Sequence, residues 1–363
     1  MDLNVDLLKR LCETPGIPGR EERVRALIEK EIEGLFDEVR SDSLGNLICR
    51  RAPRNGKKNG KNGNGGKSTD RPTKVLLLCH MDEIGFYVKG IDDQGFIRLN
   101  AAGGFDTRNL FSRRVLVVTD GGDLRGVMNP GGRPVHIASE EDKKKIPEVK
   151  EFFVDLGLPA EEVKKRVKIG DYVVMDEPFL DLGQKMVSKA MDNRVACWLG
   201  IEAVRALDKS GAGHACELYV AFTTQEEVGL RGAKVSSFGI DPDIGVGLDV
   251  TLACDTPGVP SDETVTVQGK GFGLHVMDSS FISDYRLIND IEAVAQQKEI
   301  PCQRTILPRG GQDGAAAQLA TKGCRAVGIT VGTRYIHTVT EMVHKTDLAA
   351  ARDVLAAWLP TIS

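Results

Sequence analysis

Hydrophobic and polar positions alternate along this chain in two textures. Val24, Leu27, Ile28, Ile32, Leu35 and Phe36 recur at helical spacing, which predicts an amphipathic helix. The run KVLLLCHMD at 74–82 is short, apolar and unbroken, the pattern of a strand buried on both faces. From 85 to 182 the texture changes to short alternating stretches (GFIRLN, RRVLVVT, GDYVVMDEP) broken by Gly and Pro. One charged helical piece around EEDKKKIPEVKEF interrupts them, and the whole predicts a compact, β-rich module. Beyond it, helices and apolar strands alternate: a helix through MDNRVACWLGIEAVRAL, strands CELYVAFT and IGVGLDV, a helix over 284–298, strand RAVGITV and a last helix over 347–359. Such alternation predicts an α/β fold with a mixed, largely parallel sheet flanked by helices. The β-rich domain at 85–182 is then an insertion into a discontinuous α/β domain formed by 1–84 and 183–363.

Residues 54–70, RNGKKNGKNGNGGKSTD, offer nothing apolar to bury and read as a solvated, flexible Gly/Asn/Lys loop. Its GGKS resembles the end of a phosphate-binding loop, but Lys61 stands where that motif needs glycine. Charge excludes another class: 48 basic against 52 acidic residues leave a net −4, with nothing to attract a nucleic-acid backbone. The opening MDLNVDLLKR is acidic where a secretory signal is basic. No apolar run approaches the roughly 18 residues of a membrane span, so a cytoplasmic protein without a membrane partner is expected. The eight cysteines are scattered without CxxC spacing and read as free thiols, mostly buried.

The chemistry sits at the ends of the predicted strands. His80 and Asp82 lie where the strand beginning at 75 runs out, two residues apart and so on one face. Glu226 and Glu227 follow the strand ending at Thr223, Asp249 closes IGVGLDV, His337 follows RAVGITV, and Asp192 opens a helix. In an open α/β sheet the loops at the carboxyl ends of the strands converge on one crevice, so these segments deliver imidazoles and carboxylates to a single edge. Oxygen and nitrogen donors without thiolate suit zinc, cobalt or manganese. Five such ligands exceed the needs of one tetrahedral ion, and two ions bridged by a carboxylate, with a Glu left over as general base, account for the set. Cys79 points away from His80, because consecutive strand residues face opposite sides, and His136, His214, His275 and His344 read as ordinary core or surface histidines.

Several ordered segments carry a resemblance. HMDEIGFYV, MDNRV, TTQEEVGLRGA, LDVTLACDTPG and RYIHTVTEMV, over nearly the whole chain, resemble the tetrahedral aminopeptidases, some of whose relatives carry glucanase labels. The resemblance implies a zinc-exopeptidase-like fold, a dinuclear-metal exopeptidase, and dimers assembling into a tetrahedral dodecamer. HIASEEDKKK and IGDYVVMDEP resemble that family's dimerisation domain. Carried over by position, it makes Asp192 the bridging carboxylate, His80 and Asp249 the other ligands of one metal, and Glu227 and His337 those of the second. Glu226 becomes the base acting on a metal-bound water, and Asp82 the residue that holds His80 in its tautomer. The implied activity is release of N-terminal residues from short peptides, with two divalent ions per subunit, zinc or cobalt.

The chain departs from the family pattern at LACD, at GGQDG from Gly310, and at Thr338 and Val339. The resemblance therefore assigns neither the preferred residue nor a role for Asp313. Two other readings compete. A glycoside hydrolase would use paired carboxylates, but adjacent Glu226 and Glu227 can hardly flank a sugar bond, and aromatic content is only 5%, which leaves few stacking platforms. A non-catalytic assembly protein of the same fold would have no need to keep these chemical positions intact.

Overall fold

A computed structural model describes residues 2–54 and 71–362. The Gly/Asn/Lys tract lies outside them, apart from Arg54, whose backbone pairs with His214 in an isolated bridge.

Eleven strands among the described residues form one mixed sheet. Its centre is parallel: Glu217–Thr223, Lys74–His80, Ile244–Leu252 and Arg325–Arg334 lie side by side in that order. These runs are apolar on both faces because both are covered. Helices Val5–Glu13, Met191–Ser210, Tyr285–Gln297 and Lys345–Trp358 bury the larger core on one side. Arg231–Ile240 and Asp313–Gln318 cover the other side over Leu76, Leu78 and Ala221. Antiparallel strands extend both edges: Leu47–Arg51 at one, and Glu341–His344 followed by Lys185–Ser188 at the other.

The helix Met191–Ser210 is buried almost all round, with Trp198 fully enclosed and its Nε1 donating to the Asn4 carbonyl at 2.9 Å. It lies close on the strands, and Gly200 permits this. A Cβ there would stand 2.8 Å from Cys79 Sγ and 3.1 Å from Val220. The close approach brings the start of this helix to the end of Lys74–His80, where Cys197 Sγ lies 3.3 Å from the His80 carbonyl.

Six antiparallel strands between Gly85 and Met175 close a barrel, in the order Gly85–Ile91, Ile97–Ala102, Phe152–Asp155, Leu124–Pro130, Arg113–Val118 and Tyr172–Met175. Alternation fills it: Phe86 and Val88, Ile97 and Leu99, Val115 and Val117 all point inward. The charged segment before Phe152 differs from expectation. Only Glu140–Lys144 is α-helical, because Pro147 follows and cannot continue the hydrogen-bond ladder; Val149–Glu151 is a single 3-10 turn, and 152–155 joins the barrel as a strand. The helix expected over 24–36 is Glu22–Glu31. Of the eight free cysteines, Cys12, Cys49, Cys79, Cys197 and Cys216 are buried and three are partly exposed. No described helix is long and apolar enough to cross a membrane.

Candidate active site

At the carboxyl edge of the parallel strands His80, Asp192, Glu226, Glu227, Asp249 and His337 line one cavity of about 340 Å³, bordered by Val250, Leu252, Leu307 and Arg309. Asp192 stands at the centre. Its Oδ1 is 3.3 Å from Nε2 of His80 and its Oδ2 is 3.5 Å from Nε2 of His337. On the His80 side, Oδ1 of Asp249 and Oε2 of Glu226 each lie 4.0 Å from the same Nε2. On the other side, Oε1 of Glu227 is 3.4 Å from Nε2 of His337. Two clusters, His80 with Asp192 and Glu227, and His80 with Glu226 and Asp249, hold ligand atoms within 4.8 Å of one another, so either could hold a metal ion.

Local structure explains the placement. Asp192 and Asn193 keep non-helical angles although they begin the long helix, and the residue before it, Ala190, is left-handed at φ 59°. Asp192 is thus a turn residue aimed into the cleft and not the simple helix opener that its position suggested. Asn193 uses its freed side chain to donate to Asp249 Oδ1 at 2.9 Å and to the Leu248 carbonyl. Gln225 and His337 are also left-handed, at φ 57° and 63°. Strained backbone of this kind collects where surroundings over-determine it, commonly at functional sites.

The loop carrying the glutamates hangs on three side chains. Asn46 Oδ1 takes the Thr224 amide at 2.9 Å, Glu21 Oε1 takes that of Gln225 at 2.9 Å, and the two oxygens of Asp82 take those of Glu226 and Glu227, each at 3.1 Å. Gly232 is required where the next helix meets this loop, since a Cβ would fall 2.2 Å from Asn46 Oδ1 and 2.4 Å from the Thr224 carbonyl. His80 Nδ1 lies 3.1 Å from the Asp82 carbonyl and 3.5 Å from its Oδ1. Asp82 thus meets the imidazole through its backbone while its carboxylate serves the glutamate loop.

Burial governs the electrostatics. It pushes Glu226 and Asp249 well above the usual carboxylate range, against the pull of His80. Burial likewise opposes charge on His337, yet hydrogen bonds to Asp192 and Glu227 prevail and raise it to about 11. His80 is raised despite its burial by Glu226 and Asp192, and Asp192, also buried, is held low by both imidazoles. Carboxylates outnumber imidazoles here, and no Lys or Arg among the described residues pairs with Asp192, Glu226, Glu227 or Asp249. A buried excess of oxygen donors that no Lys or Arg neutralises fits divalent metal ions.

Residues 63–354 match the family described as M42 glutamyl aminopeptidase. The chain belongs to the M42 aminopeptidase family. Its activity is accordingly that of an aminopeptidase, a hydrolase acting on peptide bonds. A lysyl aminopeptidase of Pyrococcus furiosus is 31% identical over 96% of this chain and 93% of its own length. Among solved structures, a TET aminopeptidase of a marine-sediment Thaumarchaeota archaeon superposes with a TM-score of 0.90 at 33% identity, over 99% of this chain and 96% of that one. The TET1 peptidase of Pyrococcus horikoshii, described as assembling into a tetrahedron or a large octahedral shell, gives 0.83 at 29% identity over 98% of each chain.

None of the other histidines of this M42 chain lines the cleft. His214 meets the Cys216 carbonyl at 2.8 Å, His275 lies between Ser283 and Asp278, His344 meets Thr346, and His136 is exposed. Cys79 is buried away from the cleft, and burial raises its thiol well above the ordinary value. Asp313 is buried beside Thr223, whose hydroxyl donates to its Oδ2, while Oδ1 has no partner among the described residues and burial pushes the carboxyl up to about 6. Sequence reasoning did not single out Glu21, Asn46, Asn193 or Glu341. Glu21 stands between Arg20 and Glu22 and Asn193 between Asp192 and Arg194, and none of the four falls in a spacing that marks it for chemistry.

Proposed function

We propose that this M42 aminopeptidase is a two-metal enzyme that removes the N-terminal residue of short peptides, with Glu226 as general base. The observation that carries the reading is Asp192, which turns one oxygen to His80 and the other to His337. That is the arrangement of a carboxylate shared by two cations. His80 and Asp249 would complete one position, Glu227 and His337 the other. Two bound divalent ions, zinc or cobalt by donor type, would acidify a water and polarise the scissile carbonyl.

The chain's own residues do the rest. Glu226 and Glu227 are consecutive, and Asp82 fixes both their amides, so their side chains are set relative to each other before substrate arrives. Glu227 is engaged with His337, which leaves Glu226 to take the proton of the attacking water and hand it to the leaving amine. Glycoside hydrolysis is the weaker reading, since Glu226 and Glu227 are consecutive in one loop and line the cavity with two imidazoles which that reaction does not use. The tetrahedral and octahedral shells of the Pyrococcus horikoshii relative support a homo-oligomer, joined first through the barrel-bearing insertion at 85–182. A cytoplasmic site of action is part of the same reading.

The test is a panel of amino-acyl chromogenic amides, with and without excess chelator, on wild type and Glu226→Gln. Chelation should abolish turnover and added metal should restore it. Glu226→Gln should keep its metal and fold while losing about 10²–10⁴-fold in kcat. Activity that survives complete removal of metal, or loss of metal in parallel with turnover in Glu226→Gln, would contradict the assignment.

A further inference from the structure

Glu341 is a buried acid that neither a ligand role nor an ion pair explains. It is 2% exposed, and no Lys, Arg or His lies within ion-pair distance of it among the described residues. Glu83, buried nearby, provides the contrast, because Lys189 Nζ meets both its oxygens at 2.7 Å. Burying a carboxylate without a countercharge is costly, and persists only where its oxygens are used. Both oxygens of Glu341 are used on backbone. Oε2 accepts the amide of Asp192 at 2.9 Å and Oε1 accepts the amide of His337 at 2.7 Å.

These two amides belong to residues 145 apart in the chain, and they carry two of the side chains assigned to the second metal position. Topology makes the meeting possible. Glu341 begins the strand Glu341–His344, four residues after His337, and its register partner is Ser188, the last residue of the strand that leads into Asp192. One side chain at this junction therefore reaches both departing loops.

We propose that Glu341 is a positioning residue that sets Asp192 and His337 in a common register, so that both present their donor atoms to the same ion. The inference rests on the two-metal reading. A carboxylate has two acceptor oxygens, one for each amide. Glutamine has one acceptor and a donor NH₂, so Glu341→Gln leaves one of the two ligand-bearing amides facing another donor. Aspartate keeps both oxygens but is one methylene shorter and cannot reach both loops.

The experiment titrates Co²⁺ into metal-stripped full-length wild type, Glu341→Gln and Glu341→Asp. It follows the visible absorption of the bound ion and competition with a chelating dye, alongside thermal unfolding of the stripped proteins. Wild type should bind two ions. The variants should unfold within a few degrees of it when stripped, bind at least one ion about 10–100-fold more weakly, and give an altered visible spectrum. Excess metal should restore part of the lost kcat. Wild-type affinity and an unchanged spectrum in both variants would overturn the assignment. So would a loss of stripped-protein stability with no change in affinity of the folded fraction, which is the signature of a merely structural acid. A wild type that takes up no cobalt overturns the two-metal reading and this assignment with it, whereas two ions bound equally by all three proteins overturn this assignment alone.

Discussion

Asp192 shows how much one side chain is asked to do. With an oxygen towards each imidazole, it ties two halves of the cleft together while its own amide is held by Glu341. Asparagine at this position would keep one oxygen and turn an NH₂ towards the second metal position. Asp192→Asn should therefore empty both positions together, by more than the about 10–100-fold that follows loss of an outer partner. Metal content measured after purification without chelator checks this, and retention of one full equivalent would contradict the shared role. At this scale the sequence was legible for groups that carry chemistry on themselves. His80, Asp249 and His337 stand at the ends of apolar runs, where any acid or imidazole attracts notice. Glu341 and Glu21 were not legible, since their function lies in which backbone amide they reach, and that depends on a chain crossing far along the sequence.

Elements place those residues within hydrogen-bond distance. The glutamate loop after Glu217–Thr223 is suspended from Asn46, Asp82 and Glu21, which come from three other segments. Burial, and then the nearby Asp82, push the Glu21 carboxyl from an ordinary 4.5 up to about 7. The folded protein thus holds this proton to higher pH than the unfolded chain does. Its contribution to stability is complete below about pH 4.5 and is lost as pH rises towards 7. Glutamine cannot ionise yet keeps the Oε1 acceptor that serves both Gly19 and Gln225. In chelator, Glu21→Gln should therefore gain stability relative to wild type between pH 5 and pH 8, read from urea midpoints. A relative loss over that interval would contradict the raised value. The helix expected at EEDKKKIPEVKEF shortened to Glu140–Lys144 for a local reason, Pro147. The neighbouring strand Phe152–Asp155 formed for a non-local one, because Leu124–Pro130 and Ile97–Ala102 offer it partners on both sides.

For the whole molecule, the closed barrel is a second core set into the α/β unit, joined to it by contacts such as the Arg23–Asp123 ion pair and the Tyr87 hydroxyl on the Pro18 carbonyl. The segment between its strands Leu124–Pro130 and Phe152–Asp155 leaves Val135, Ile137 and Ile146 at least 60% exposed. If the insertion joins protomers, these apolar side chains are suited to the contact. Ile137→Asp with Ile146→Asp should then yield a smaller species by sedimentation, with peptidase folding intact. An unchanged assembly mass would place the contact elsewhere.

By itself the sequence determined the alternation of apolar strands and helices, the change to a β-rich insertion, and the identity of the acids and histidines available for chemistry. Those follow from periodicity and residue type, which are local properties. The tertiary structure decided which oxygen of Asp192 faces which imidazole, that Asp82 uses its carboxylate on backbone amides, and that Glu341 gathers two distant loops. Such pairings are set by the packing of elements far apart in the chain, and distances of about 3 Å between them leave no trace in the spacing of residues.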